Sequence, residues 1–505
     1  MSNLFVFVKN AAANLLRGGA TALVAILLPP LLVRHMTPSD YAVWVLVLQV
    51  GAYVAYLDFG LQTAVGRYVA YANEKNDLAQ RNSVFSTAFA ALFAACILSV
   101  MLLLVAIAAV RIIFPGIPAG SVPVMRWGML ILGTALALGL PASAWSGVFI
   151  GLQRYEIPAM VIGGARLLSA VGVVAAAFAG KSVVVMASIM AITYLGSYGV
   201  QYLAMQRVVP DIQFDLALVR RATASELFSY CFGLTVMSFS MLLVTGFDLI
   251  LVGRFQFNAV TPYSVAASLI TFVAGLLYAI LNVMMPHAAA LHARQDPAAL
   301  GRLVIGSTRF AVLLLVFTGI PPLVYAGPIL KMWIGQQFVA AGRPVLATLL
   351  LANMVRLIGA PYAIVLVSAG QQRLIKVSPV TEGVSNLAAS VVLGAAMGAI
   401  GVALGTLIGS FFSIGAHLFY SMPRTYPEIR FARQEYLWSG IALPLLCSTP
   451  LLVVAAASLL GSGLIAGRPL VFLLAYALSL AAGLVLMRKS GLLRRSHVAS
   501  GAATN

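Results

Sequence analysis

The sequence predicts an all-α polytopic membrane protein with about fourteen transmembrane helices, arranged as two parallel-repeat six-helix lobes plus two extra C-terminal helices. Three observations lead to this fold class. Hydrophobic residues make up 62% of the 505 residues and charged residues only 9%, whereas soluble domains carry about 25% charged residues. Apolar segments long enough to cross a bilayer follow one another along the chain. Short motifs also recur at nearly one spacing, which indicates an internal repeat.

We place a span wherever an apolar segment reaches the length of about 17–25 residues that a bilayer requires. The first segment is too long for the apolar core of a signal peptide and is interpreted as the first span. No connection is long enough to form a soluble domain. The predicted spans are 8–33, 41–68, 84–110, 122–150, 158–179, 182–206, 224–252, 261–291, 303–327, 344–368, 376–397, 399–421, 437–460 and 468–487.

Three pairs of motifs indicate that the chain contains two related halves. Gly151-Leu-Gln-Arg154 and Gly370-Gln-Gln-Arg373 are 219 positions apart, as are Asn76-Asp77 and Gln295-Asp296, and Pro141 and Pro361 are 220 apart. Six spans separate corresponding points, and an even number gives both halves the same orientation. The halves are therefore expected to be parallel repeats related by an axis along the membrane normal.

The repeat divides the chain into five segments. The N-terminal six-helix lobe is 1–207 and the C-terminal six-helix lobe is 224–421. Between them, 208–223 is predicted to be a cytoplasmic amphipathic linker, because Ile212, Leu216 and Val219 have helical spacing, as in a helix lying at the membrane interface. Two additional transmembrane helices occupy 422–487, and 488–505 is a cytoplasmic tail.

The distribution of the cations predicts the orientation of the chain. The net charge is +18, but the cations are scattered in short loops, which argues against a nucleic-acid partner and for contact with the lipid bilayer. With a cytoplasmic N-terminus, 19 of the 31 Lys and Arg residues lie on the cytoplasmic side and eight on the other. The positive-inside rule therefore places both termini in the cytoplasm.

Two lobes around one cleft are typical of transporters, whose substrates bind near mid-membrane between the repeats. Charged groups inside spans are costly and mark candidate functional positions. Arginine stays charged and presents a planar fork to phosphate oxygens, so the arginines are candidate substrate-binding residues for an anion such as a diphosphate. The acids are candidates for ion coupling or charge pairing. The arginines are Arg17, Arg166, Arg309 and Arg356, and the acids are Asp58, Asp248 and Glu382.

Several of these charges also have a simpler interpretation. Arg166 and Glu382 lie about two turns into their spans, and Arg17 and Arg309 are near the same side, so their side chains could reach the cytoplasmic surface. Arg356 and Asp58 are closest to mid-span, where this alternative is weakest.

Prolines mark a candidate hinge. Pro29-Pro30 is expected to interrupt the first span and to act as a hinge or as part of a cavity wall, because each proline removes a backbone donor. A bend fixed by packing is the alternative. The three cysteines, Cys96, Cys231 and Cys447, lie in apolar runs without metal or redox spacing and are interpreted as packing residues.

The sequence lacks the motifs of several enzyme classes. It has no phosphate-cradling G-x-x-x-x-G-K-[ST] loop, no HExxH pair and no nucleophile elbow. We therefore expect no enzymatic activity, no metal site and no cofactor. Energy for transport would come from a membrane potential, from consumption of the product, or from coupling to protons or sodium ions.

Part of the sequence resembles a known family. Tyr41 and Trp44 form a Tyr-x-x-Trp motif, and Leu57-Asp58-Phe59-Gly60-Leu61 follows in the second span. Together with Gly151–Arg154 and Phe247-Asp248, this pattern resembles the Wzx-type polysaccharide flippases of the multidrug/oligosaccharidyl-lipid/polysaccharide exporter superfamily. Leu57–Leu61 is the most specific of these motifs.

The resemblance implies a V-shaped pair of lobes around a cationic cavity in the bacterial cytoplasmic (inner) membrane. It implies that undecaprenyl-diphosphate-linked oligosaccharide is moved from the inner to the outer leaflet for synthesis of a surface polysaccharide, such as lipopolysaccharide or exopolysaccharide. Glycan polymerase and export proteins are the expected partners, and a monomer is the default state. The identity of the glycan does not follow.

Other functions stay open. An ion-coupled multidrug exporter, such as an antiporter, could share this fold, although it would prefer a cavity dominated by carboxylates. A peptidoglycan-precursor (lipid II) flippase is a second possibility. An integral-membrane glycosyltransferase or polymerase is disfavoured, because no large loop is present to carry its acid and base residues.

Overall fold

The computed structural model of the protein describes residues 26–460 and 469–489. Every regular element within these ranges is a helix. The N-terminal lobe consists of α1 (described over Ile26–His35), α2 (Pro38–Tyr56), α3 (Leu61–Glu74), α4 (Leu78–Ala108), α5 (Val110–Ile113), α6 (Ser121–Gly151), α7 (Glu156–Phe178) and α8 (Val183–Val208).

The C-terminal lobe and the helices after it follow a short linker. They are α9 (Arg221–Met241), a π-helical turn (Leu242–Gly246), α10 (Asp248–Phe255), α11 (Val260–Asn282), α12 (Met285–Ala293), α13 (Pro297–Val324), α14 (Ala326–Ile334), α15 (Val339–Ile358), α16 (Ala360–Ser368), α17 (Gln372–Ile375), α18 (Val377–Met397), α19 (Ala399–Ala416), α20 (Met422–Thr425), α21 (Arg433–Glu435), α22 (Leu443–Cys447), α23 (Thr449–Leu460) and α24 (Pro469–Lys489).

The helices confirm the predicted fold class. Within the described residues, 11 helices or continuous helix pairs are long and apolar enough to cross a membrane, and the pair Arg433–Cys447 and Thr449–Ser458, bent by 55°, raises the number to 12. These match the second to the thirteenth predicted spans, and α24 matches the last. Most of the first predicted span lies outside the described residues, so the total of fourteen stays a prediction.

One pair of repeat motifs adopts the same local structure in both halves. Asn76 and Gln295 both have a left-handed backbone with φ of 53°. Asp77 then accepts a hydrogen bond from the backbone N–H of Gln80, and Asp296 accepts one from that of Ala299, each at 2.8 Å. Each aspartate thus caps the N-terminus of the next helix, α4 or α13. The match at 219 positions therefore reflects a repeated helix–turn–helix.

A second pair of motifs is displaced from its structural match. At the end of α6 the residue with a left-handed backbone is Gln153 (φ 57°), and at the end of α16 it is Gly370 (φ 72°). The next N–H bonds back to a carbonyl five residues earlier in both turns, from Arg154 to Phe149 and from Gln371 to Leu366. The equivalent residues are therefore 217 apart, so aligning the two runs on their Gly and Arg residues was wrong by two positions.

The linker between α8 and α9 is mostly extended, so the interfacial helix predicted within 208–223 is wrong. Its only helical turn among the described residues is Leu216–Leu218. Ile212 is buried, but Leu216 is exposed, so the apolar residues do not share one face. The backbone bonds instead to polar residues at the start of α4: the Asp215 N–H donates to Ser86 Oγ, and the Leu218 carbonyl accepts from Ser83 Oγ. These partners replace the bonds that a helix would supply.

The two lobes share a hydrophobic core at one end. Trp44 on α2 and Phe114 after α5 are buried together with Val260 and Tyr263 at the start of α11. The predicted topology places this end at the outer face of the membrane. Thr261 Oγ1 also donates to the Pro38 carbonyl at 2.8 Å, which joins the lobes there.

Within the N-terminal lobe, α6 lies at the centre and packs on α2, α3, α4 and α8. Its glycines allow close approach to α3: a Cβ at Gly147 would lie 2.7 Å from the Gln62 carbonyl, and one at Gly151 would lie 2.6 Å from the Gly66 carbonyl. Small residues at helix contacts of this kind are typical of membrane bundles.

We expect the paired caps to contribute equally to stability. Asp77→Ala and Asp296→Ala should each lower the free energy of unfolding by about 1 kcal/mol, because a helix N-terminus loses its side-chain acceptor. Asp77→Asn and Asp296→Asn keep an acceptor and should stay near the wild type. Unfolding of the purified protein in mixed micelles measures the change. Equal losses in the asparagine and alanine variants would contradict the capping role.

Candidate functional site

A cavity of about 440 Å³ lies between the two lobes. Helices α1 and α2 line it from the N-terminal lobe, and α10, α11, α15 and α19 line it from the C-terminal lobe. Two of the predicted charged residues, Asp248 and Arg356, are in its wall. The position between repeats is where transporters of this architecture hold their substrates.

Arg356 stands in the last turn of α15, just before the helix breaks at Gly359. A cation is favoured there, because the carbonyl end of a helix is partially negative. Its Nε forms an ion pair with Glu382 on α18, and Nη1 donates to Asn353 Oδ1 at 3.4 Å. The third nitrogen, Nη2, is buried and has no hydrogen-bond partner among the described residues. The guanidinium therefore keeps an unused donor.

Asp248 begins α10 after the π-helical turn, and it is 8% exposed. Its carboxylate accepts hydrogen bonds from Thr406 Oγ1 at 3.0 Å, Tyr263 Oη at 3.2 Å and Asn386 Nδ2 at 3.4 Å. Ser390 Oγ in turn donates to Asn386 Oδ1 at 2.8 Å and orients that amide. The donors come from three helices, so the carboxylate holds α11, α18 and α19 around the start of α10.

The π-helical turn at Leu242–Gly246 gives the two lobes a polar contact beside this site. The Gly246 carbonyl accepts from Gln49 Nε2 at 3.0 Å and from the Tyr53 hydroxyl, both on α2. A widened turn leaves carbonyls without their usual partners, and π-turns are frequent at functional sites. Here the N-terminal lobe satisfies the carbonyl at the edge of the cavity.

Pro29 lines the cavity and is buried, which agrees with the predicted cavity wall. The predicted interruption of the helix is not found, because Ile26–His35 is helical throughout, including Pro29 and Pro30. A proline removes only the bond of its own nitrogen, so the remaining bonds can continue the helix. A hinge at the doublet stays a prediction.

Asp58 lies in the break between α2 and α3, away from Asp248. The break is formed by Phe59 (φ 52°) and Gly60 (φ 78°). The Asp58 carboxylate accepts from Ser143 Oγ at 2.9 Å and from the Gln62 N–H at 3.5 Å. The Phe59 carbonyl accepts from Thr235 Oγ1 on α9 at 3.0 Å. The Leu57–Leu61 motif thus forms a helix break that contacts the other lobe.

Arg166 and Arg309 do not join Arg356. Arg166 on α7 lines a separate cavity inside the N-terminal lobe. Arg309 on α13 donates from Nε to the Ser439 carbonyl at 3.2 Å, against the C-terminal helices. Arg17 lies outside the described residues.

The described lining of the central cavity lacks the expected cationic balance. It contains one arginine, Arg356, and one carboxylate, Asp248, and Glu382 lies directly behind the arginine. Arg166 lines a cavity inside the N-terminal lobe, and Arg309, in the same lobe as Arg356, contacts the C-terminal helices, so these arginines do not share one site with Arg356 as the sequence predicted.

Several residues of this site are uncharged and were missed in the sequence. Gln49 and Tyr53 are four positions apart on α2, and Asn386 and Ser390 follow the predicted Glu382 at steps of four on α18. Such spacing places side chains on one face of a helix. A search for polar residues at this spacing inside apolar spans would have found both groups. Among the described residues, no group of three or more His, Cys, Asp or Glu side chains could hold a metal ion.

Comparison with known proteins gives one family and several similar folds. The profile of a family described as "Polysaccharide biosynthesis protein" matches residues 7–292, which is more than half of the chain. No curated protein sequence matches this chain significantly.

Among solved structures, the chain is similar to the lipid II flippase MurJ in an inward closed conformation, with a TM-score of 0.69, 10% identity, and coverage of 96% of this chain and 99% of that one. It is similar to an inward-facing multidrug resistance MATE family transporter of the MOP superfamily, with a TM-score of 0.65, 14% identity and coverage of 81% and 96%. It also resembles a MOP superfamily transporter from Pyrococcus furiosus, with a TM-score of 0.53, 13% identity and coverage of 84% and 96%. At these identities the likeness shows the fold alone.

We expect the Arg356–Glu382 pair to be strongly coupled. Glu382→Gln should lower the free energy of unfolding by about 3–5 kcal/mol, because it leaves a buried arginine without its counter-charge. The double variant Arg356→Gln with Glu382→Gln should recover most of that loss. A double-mutant cycle on the purified protein measures the coupling. Strictly additive losses would contradict the pairing.

Proposed function

The chain belongs to the polysaccharide biosynthesis protein family, and from that premise we propose that it flips undecaprenyl-diphosphate-linked oligosaccharide across the bacterial cytoplasmic (inner) membrane. The family and the fold together show that the protein is a multi-pass membrane flippase or transporter of the multidrug/oligosaccharidyl-lipid/polysaccharide exporter superfamily. The choice of the lipid-linked glycan is our proposal.

The observation that supports it most is the state of Arg356. This arginine lies in the wall of the cavity between the lobes, and its Nη2 has no partner among the described residues. A guanidinium is permanently charged and binds phosphate oxygens through paired N–H donors. The low dielectric constant of the surrounding protein and bilayer strengthens that attraction. A small movement of the guanidinium that exposes Nη2 would give a diphosphate in the cavity an unpaired donor.

Glu382 gives this binding a mechanism. Without substrate, Glu382 neutralises Arg356 inside the membrane. The diphosphate would first engage Nη2 and then compete with Glu382 for the guanidinium. The polyprenyl chain would stay in the bilayer, because its transfer into a polar cavity would be unfavourable. The glycan and diphosphate would cross between the lobes as their packing changes.

The packing of the lobes supports alternating access. Their shared hydrophobic core closes the end that the topology assigns to the outside. With both termini in the cytoplasm, as the positive-inside rule predicts, the cavity would load from the inner leaflet. Outward release would then require the core around Trp44 and Tyr263 to separate while contacts at the opposite end form.

Asp248 is the proposed position for ion coupling. It is buried in the cavity wall and held by Thr406, Tyr263 and Asn386. A buried carboxylate stays charged at a cost, so uptake of a proton or a sodium ion there would alter the packing of α10 against α18 and α19. Asp58, in the N-terminal lobe, is proposed as a charge-pairing residue.

The other predicted arginines receive separate roles. Arg17, outside the described residues, is proposed to add positive charge at the cavity. Arg166 is proposed to contact the glycan rather than the diphosphate. The position of Arg309 supports a contact with the C-terminal helices in preference to substrate. We propose that the protein acts as a monomer and passes its product to a glycan polymerase and export proteins, without a cofactor.

One observation favours a second function, an ion-coupled exporter of cationic drugs. In the described part of the cavity region, Asp248 and Glu382 outnumber the single arginine. A cation would be attracted to these carboxylates when Glu382 is released from Arg356. A lipid II flippase is a further alternative within the diphosphate class, and it differs from the main proposal only in the glycan.

Arg356→Gln should slow flipping in proteoliposomes by about tenfold or more, since hydrogen bonds to a charged group contribute about 1.5–3 kcal/mol. The substrate is fluorescent undecaprenyl diphosphate carrying one sugar, and the rate is read by a membrane-impermeant quencher. Arg302→Gln, which changes an exposed arginine on α13, is the matched control. Equal rates in the two variants would reject the role of Arg356. Efflux of a cationic dye without lipid flipping would support the exporter.

Asp248→Asn should remove the dependence of the flipping rate on a proton or sodium gradient, because the amide keeps the shape of the carboxylate but cannot titrate. The measurement compares rates with and without each gradient in proteoliposomes. Glu74→Gln removes an exposed carboxylate and should leave the dependence intact. A wild-type dependence that persists in Asp248→Asn would place the coupling elsewhere.

A further inference from the structure

The N-terminal lobe contains a second cavity, of about 210 Å³, that shares no lining residue with the central one. Four helices form its wall: α3, α6, α7 and α8. Its volume is below the range of about 300–1,000 Å³ typical of sites for drug-sized ligands. A single sugar ring is therefore a better match than a large aromatic compound or a whole oligosaccharide.

The wall of this cavity is rich in hydrogen-bonding groups. Gln62 on α3, Ser143 and Ser146 on α6, Arg166 on α7 and Gln201 on α8 all line it. Gln201 is buried and accepts from Ser146 Oγ at 2.5 Å. Polar groups inside a membrane bundle are costly and mark substrate pathways. The set offers both donors and acceptors, which is what the hydroxyl groups of a sugar require.

Two tyrosines contribute to the apolar part of the wall. Tyr194 and Tyr198 are four residues apart on α8 and line the cavity from one face of that helix. Gly139 on α6 makes room for Tyr198, because a Cβ there would collide with its hydroxyl group. An aromatic ring with a polar tip suits a ligand that has an apolar C–H face and a polar rim.

Residues that are close in sequence line the second cavity and the central one. Tyr56, at the end of α2, lines the central cavity, and Gln62, near the start of α3, lines the second. The Leu57–Gly60 break lies between them. Asp58 in that break accepts from Ser143 Oγ, which belongs to the wall of the second cavity. The polar groups thus continue from one cavity towards the other.

We propose that the second cavity binds one sugar ring of the lipid-linked glycan while the diphosphate is held at Arg356. This inference rests on the proposed function for its substrate. Arg166 donates to ring hydroxyl groups or to the carboxylate of an acidic sugar, Gln62 and Gln201 fix its orientation, and Tyr198 packs on its C–H face. Recognition of the glycan is thereby separated from recognition of the diphosphate.

Equilibrium binding to the purified full-length protein in nanodiscs tests the inference. The probes are undecaprenyl diphosphate alone and the same lipid carrying one N-acetylglucosamine, galactose or glucuronic acid. We expect at least one sugar-bearing lipid to bind about tenfold more tightly than the bare lipid, as one or two added hydrogen bonds would give. A preference confined to glucuronic acid would indicate that Arg166 binds the sugar carboxylate. A preference for a neutral sugar would indicate that Arg166 binds ring hydroxyl groups.

Variants of the cavity residues then test whether the added affinity for the sugar comes from the second cavity. Arg166→Gln, Gln201→Leu and Gly139→Ala, which displaces Tyr198, should each remove the preference for the sugar while binding of the bare lipid changes less than about twofold. Tyr202→Phe and Arg207→Gln, at exposed positions on the same helix α8, are the controls and should keep the preference. Thermal unfolding confirms that each variant is folded.

The failures of the two proposals are distinguishable. If the bare lipid binds the wild type and no sugar adds affinity, the sugar site is rejected and diphosphate binding stands. A preference that survives all three cavity variants also rejects the site. If none of the lipids binds the wild-type protein, the proposed function itself is rejected, and the sugar site with it.

Discussion

A permanent positive charge placed between two lobes inside a membrane needs a negative partner, and the centre of this structure is organised by that requirement. Arg356 cannot lose its proton, so Glu382 on the neighbouring α18 neutralises it. The break at Gly359 sets the arginine at the carbonyl end of α15, where its charge is favoured. Glu382 pairs with Nε and Asn353 with Nη1, so among the described residues only the buried Nη2 is left without a hydrogen-bond partner.

The same requirement applies to the backbone. A carbonyl inside a bilayer must find a donor within the protein. The π-helical turn in the seventh predicted span exposes the Gly246 carbonyl, and Gln49 and Tyr53 of the opposite lobe supply the donors. Their contact holds the lobes together directly beside Asp248. A change in charge at Asp248 or Arg356 would therefore act where the lobes meet, which links substrate binding to their movement.

The fold could be predicted from the sequence further than the site could. The length of the apolar runs specifies the spans, because the bilayer sets one length for all of them. The repeat can be recognised because the capping residues Asp77 and Asp296 recur in the sequence. The prediction of a helix in the linker was wrong because the linker backbone forms hydrogen bonds with Ser83 and Ser86, which are far from it in sequence. Grouping Arg166 and Arg309 with Arg356 was wrong for a related reason. Depth along a span says nothing about which face of the helix a side chain occupies, so Arg309 and Arg356 looked alike although they contact different helices.

Passage of lipid-linked glycan through this protein is tested by the distribution of undecaprenyl-diphosphate-linked glycan between the two leaflets in cells that lack the gene, read with a membrane-impermeant probe. We expect the glycan to accumulate on the cytoplasmic leaflet and surface polysaccharide to be lost. An unchanged distribution with normal surface polysaccharide would contradict it.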